Sequence, residues 1–133
     1  MSGDTVTGNA LQFTNDNKYC WAYSGTVLVG SVATNVSTFQ TQSEYLVGDV
    51  SIFVISNTTD NIEFLVSFND ILIFETSTNS YADHSPYTPI PLIVPPFTVV
   101  KFEAFNTSTG SKNVAMNFTG KVGMAPRVGN LVE

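Results

Sequence analysis

Charge is scarce in this chain, and positive charge scarcest of all. Lys18, Lys101, Lys112, Lys121 and Arg127 are the only cations among 133 residues, set against eleven acids for a net charge of −6. Five scattered cations cannot neutralise a run of phosphates, so no nucleic acid is expected as a partner. The same shortage argues against an anionic membrane surface. Cys20 is the single cysteine, which excludes an intrachain disulfide. No apolar run approaches the ~18 residues of a membrane span. Met1-Ser-Gly-Asp4 has neither a basic nor an apolar leader region, so no signal peptide is expected. Phosphate-cradling glycine loops, nucleophile elbows, dinucleotide fingerprints and helical apolar stripes are missing as well.

What is present specifies strands. The length fits one domain with a core of its own. Charged residues make up 12% of the chain, about half the usual ~25%, and Asn, Thr and Ser supply the polarity in their place. Such residues suit turns and strand surfaces better than helices. From Asn113 onward Val114, Met116, Phe118, Val122 and Met124 share one face with Gly120, while Asn113, Asn117, Thr119 and Lys121 take the other. A slip of one residue would expose the whole apolar set, so register is firmly specified. Phe97–Phe105 precedes it as another strand. Ile62, Phe64, Val66 and Phe68 alternate in the same way, and Asn69-Asp70 predicts a tight hairpin into Ile71–Thr76, because both residues tolerate left-handed backbone. Ser24-Gly25 predicts a turn between Tyr19–Tyr23 and a second run, Thr26–Ala33. Asp49–Ser56 reads as a further strand, and 77–91 as a long loop. The expected fold is all-β: an antiparallel β-sandwich, jelly-roll-like or Ig-like, of about seven to eight strands. Residues 1–18 read as an N-terminal arm, 19–124 as the sandwich and 125–133 as a C-terminal tail.

Two runs, Ile52–Ile55 and Ile71–Phe74, are apolar on both faces, although the outer face of a sandwich is normally solvated. They need a cover: the 77–96 loop, the N-terminal segment, or another subunit. Ile52, Val54, Leu72 and Phe74 are the candidate interaction surface. Tyr19, Trp21 and Tyr23 share the opposite side of their strand from Cys20, Ala22 and Ser24. The area that aromatics bury makes a core ladder the first expectation, with the small residues outside. The alternative is a platform that stacks sugar rings, to which Tyr81 and Tyr87 would add.

Chemistry has weaker candidates. His84 lies between Asp83 and Ser85, but consecutive residues of extended chain point to opposite faces and do not form a triad. Calcium would require loop acids such as Asp49, Asp60, Asp70 and Asp83, and no Asp-x-Asp-x-Asp-Gly loop is present. Asn-x-Ser/Thr triplets begin at Asn35, Asn57, Asn106 and Asn117, which chance explains in so Asn-rich a chain. No catalytic residue, metal or cofactor is expected.

The segment Pro89-Ile-Pro-Leu-Ile-Val-Pro-Pro-Phe-Thr-Val-Val-Lys-Phe-Glu-Ala-Phe-Asn106, followed by Val-Ala-Met-Asn-Phe-Thr-Gly-Lys-Val-Gly123, resembles the C-terminal half of small β-sandwich virion proteins of tailed phages. The resemblance covers the last third of the chain. It implies a non-enzymatic capsid decoration (cement) protein or related head or tail component, made in the host cytoplasm and located in the virion. Its implied partners are a capsid or other virion protein and further copies of itself. A homo-oligomer is expected, a trimer being one closed form.

Overall fold

The computed structural model describes residues 11–54, 62–77, 89–107 and 110–124. These residues form two antiparallel sheets stacked face to face, a β-sandwich, with ten strands rather than the seven or eight expected. The first sheet holds β1 (Gln12–Phe13), β2 (Tyr19–Tyr23), β3 (Val27–Val29), β5 (Glu44–Val54), β8 (Ile90–Val94) and β10 (Lys112–Met124). The second runs β4 (Thr34–Gln40), β9 (Val99–Asn106), β6 (Ile62–Phe68), β7 (Ile71–Ser77).

The additional strands have local causes. Gln12 and Phe13, inside the expected arm, pair with Trp21 and Cys20. Thr14 and Asp16 tighten that hairpin. Asp16 accepts from the Thr14 hydroxyl at 2.6 Å and from the Lys18 amide at 3.2 Å. These bonds, the Thr14 one foremost, hold its carboxyl below the usual carboxylate range. Ile90–Val94 pairs with β5 instead of belonging to a loop, and its Pro91 is tolerated because β8 is an edge strand. Ser24-Gly25 does not reverse the chain: β2 and β3 both pair with β10, end to end along the same side. Gly25 supplies φ 69° at the offset, and the Ser24 amide donates to the Met116 carbonyl at 3.3 Å. Chain then crosses from one sheet to the other over residues 30–33.

Asn69 and Asp70 adopt φ 51° and 67°, the pair of left-handed residues a two-residue hairpin requires. In β10 the alternation holds, with Val114, Met116 and Phe118 fully buried. Phe39 of β4 joins the layers: its ring meets Phe102 edge-on at 5.7 Å and Phe118 at 5.6 Å. Leu46, Val50 and Ile52 pack from the first sheet, and Phe64, Val66 and Val100 from the second. Thr41 fastens one end of the sandwich, donating to the Pro95 carbonyl at 2.7 Å and accepting from the Thr98 amide at 2.9 Å.

Two side-chain assignments are reversed. Cys20, Ala22 and Ser24 face inward, and Tyr19 and Tyr23 are about half exposed, so the aromatic ladder is outside rather than in the core. The cause is the opposing strand. Cys20 and Ala22 pair with Gly120 and Phe118, and the Phe118 ring folds back to 3.0 Å from where a Gly120 Cβ would stand. Only small side chains fit beside it. Ile52 is likewise a core residue at 3% exposure, not a surface one, because it continues the inward set of Leu46 and Val50. Val54 and Phe74 pack against the core, leaving Leu72 as the one exposed member of the expected interaction surface.

Candidate functional site

The outer face of the first sheet is a grid fixed by strand register. Tyr19 lies across from Lys121 and Val47, Trp21 from Thr119 and Asp49, and Tyr23 from Asn117 and Ser51. An aromatic column on β2 thus runs beside two columns of mostly polar side chains on β10 and β5. Neighbouring strands lie about 4.8 Å apart, and alternate residues along a strand about 6.6 Å apart. The Trp21 and Tyr23 rings are 6.5 Å apart and inclined at 39°. Between the columns lies a shallow depression of about 670 Å³, reaching the Gly48 and Gly120 backbone and bounded by Pro91.

Beneath this face Cys20 is 2% exposed. Burial, helped by the charge of Glu44, pushes its thiol up to about 11 from 9.0. Thiolate is the reactive form, so the folded protein is expected to resist iodoacetamide at neutral pH and the unfolded chain to react. The sign for stability follows. Between pH 9.0 and about 11 the unfolded chain has released a proton that the folded one keeps. Stability is therefore unaffected below 9.0 and falls as pH rises through that window. Denaturant titrations across that window should show the loss, and Cys20→Ala should reduce it.

A second exposed apolar surface lies at one end of the sandwich. Phe97 is 67% exposed with φ 54°, a conformation costly for a bulky residue. It is the third residue of the Pro95–Thr98 turn, anchored by its amide donating to the Gln42 carbonyl at 2.7 Å. The β6–β7 hairpin adjoins the start of β9: the Asn69 amide donates to the Val99 carbonyl at 2.8 Å and Asn69 Oδ1 accepts from the Val99 amide at 2.8 Å. From that hairpin Ile71, Leu72 and Ile73 are all exposed. The register shift between Val66 and Ser67 leaves Ile73 without an opposite residue on β6, which explains why three successive apolar residues face water.

The remaining candidates do not converge. Asp49 lies on the outer face of the first sheet, whereas Asp70 sits on the hairpin of the second, 3.2 Å from Lys101. Among the described residues no three potential metal ligands gather. Asn106 is buried and donates to the Gly110 carbonyl at 2.8 Å, which removes it as a glycan acceptor. Asn57, Asp60, Tyr81, Asp83, His84, Ser85 and Tyr87 lie outside the described residues. Sequence reasoning missed Phe97, and within the two-faced run Ile71–Phe74 it named Leu72 and Phe74 rather than Ile71 and Ile73 for the surface. The signal for Phe97 was the preceding proline pair, since proline turns often ask for a left-handed third residue. Compared with family models and with curated proteins, the chain matches none.

Proposed function

We propose that the protein is a non-enzymatic structural component of a virion, a capsid decoration (cement) protein or another head or tail part that stabilises the particle through subunit contacts. The observation that carries this reading is Phe97. A bulky aromatic in left-handed backbone costs about 1–2 kcal/mol, and here the strained residue presents its ring to water. Strain of this kind clusters where a side chain must meet a partner. Ile71, Leu72 and Ile73 add apolar surface on the adjoining hairpin. The resemblance of Pro89–Gly123 to phage β-sandwich virion proteins supports the same class. The partners are then a capsid or other virion protein and further copies of this chain.

Asparagine tolerates the left-handed conformation, so Phe97→Asn separates folding from contact. The variant should melt at a higher temperature than the wild type while losing assembly. In size-exclusion chromatography with light scattering, the wild type should form a discrete oligomer that the variant does not. Wild-type protein that stays monomeric, together with a variant that co-sediments with its virions as fully as the wild type, would overturn the proposal.

A further inference from the structure

We propose that the outer face of the first sheet is a binding site for a neutral saccharide chain. This goes beyond the virion reading and does not depend on it. Pyranose rings are apolar on their C–H faces and polar around their hydroxylated edges. A ring lying flat on Trp21 has its edge beside Thr119 and Asp49, one and two strands away in the same row. The rows above and below repeat the arrangement with Tyr19 beside Lys121 and Tyr23 beside Asn117. The depression is open and takes in all three aromatics of β2, so successive rings of a chain can each meet one.

Other occupants fit less well. The cores of protein–protein interfaces are depleted of charged residues, whereas exposed Asp49 and Lys121 flank Thr119 at the centre of this surface. Neither side chain forms a hydrogen bond or ion pair among the described residues, so both remain available to hydroxyl groups. Single-stranded nucleic acid also stacks on aromatics, but it needs a positively charged groove. A net charge of −6 opposes that. The same charge, with the Asp49 carboxylate inside the site, disfavours uronate and sulfated polymers. What remains is an uncharged polyhydroxyl chain.

Trp21 is the only tryptophan of the chain, so its fluorescence reports on the site without labelling. Titration with chitohexaose and with cellohexaose, alongside an array of neutral and anionic oligosaccharides, provides the test. A saturable change in Trp21 emission with one of the two, or selective binding to neutral array members, is expected. Tyr19→Ala, at an exposed position, should leave the melting temperature unchanged and weaken binding roughly tenfold. Leu72→Ser, on the other sheet, should leave binding intact. A blank array with flat fluorescence overturns the proposal, as does binding that Tyr19→Ala and Asp49→Ala leave unchanged, or a preference for anionic polymers. The virion reading is untouched by those results, since its test is assembly of the Phe97→Asn variant.

Discussion

Phe118→Ala should destabilise the protein by about 3–5 kcal/mol, the range for truncating a fully buried phenylalanine. The side chain is 0% exposed and contacts Phe39 from the opposite layer at 5.6 Å between centroids. Removing it takes away transfer free energy and leaves a void between two sheets whose backbones are fixed by their own ladders. Small domains are stable by only about 5–15 kcal/mol, so the loss approaches the whole margin. Urea denaturation measures it. Phe53→Ala supplies the comparison: that ring is 46% exposed on the outer face, and its loss should cost about 1 kcal/mol. Equal costs for the two variants would mean that the layers do not meet at Phe118.

Gly48→Ala should be as damaging, although it adds a single methyl group. Gly48 and Gly120 are opposite each other in the β5–β10 ladder. A Cβ on Gly48 would run into the Thr119 carbonyl oxygen and stand 2.6 Å from the Gly120 Cα. On Gly120 it would stand 2.6 Å from the Val47 carbonyl oxygen. These obstacles are backbone, not side-chain ends that swing aside. Relief requires parting the two longest strands of the first sheet, a cost of about 3 kcal/mol or more. Gly30→Ala is the control, since its Cβ would meet only the Ser111 hydroxyl at 3.6 Å, an ordinary contact. Thermal melts of the two variants should differ widely. A Gly48→Ala protein that melts with the wild type would show that β5 and β10 are not paired in this register.

The strands were legible where one face is unambiguously apolar. Val114, Met116 and Phe118 fall in the core as their alternation requires, and Asn69-Asp70 makes the expected hairpin. Alternation says which residues share a face but not which face is inside. Tyr19–Ser24 alternates equally well either way, and the choice is made by Phe118, almost a hundred residues later, whose ring fills the interior beside Cys20 and Ala22. Ile52–Ile55 cannot be phased at all from its own residues, because every position is apolar. Ile52 goes inward because it follows Leu46 and Val50. The exposed face of β7 depends on a bulge that only the partner strand reveals. Of the candidate site, the aromatic column was visible as a column, whereas its polar neighbours required the register of three strands.

Strand order also decides when the molecule can become itself. β10 follows every other described strand in the chain, yet it lies inside the first sheet, bonded to β2 and β3 on one side and β5 on the other. The four strands of the second sheet all precede it. On the ribosome that layer can close while its greasy interior still lacks a lid, and β2, β3 and β5 wait with open hydrogen-bonding rims. Such intermediates are slow to resolve and prone to clump. Completion is therefore a late, all-at-once event, and the nascent polypeptide depends on shelter from its neighbours until residues 112–124 emerge.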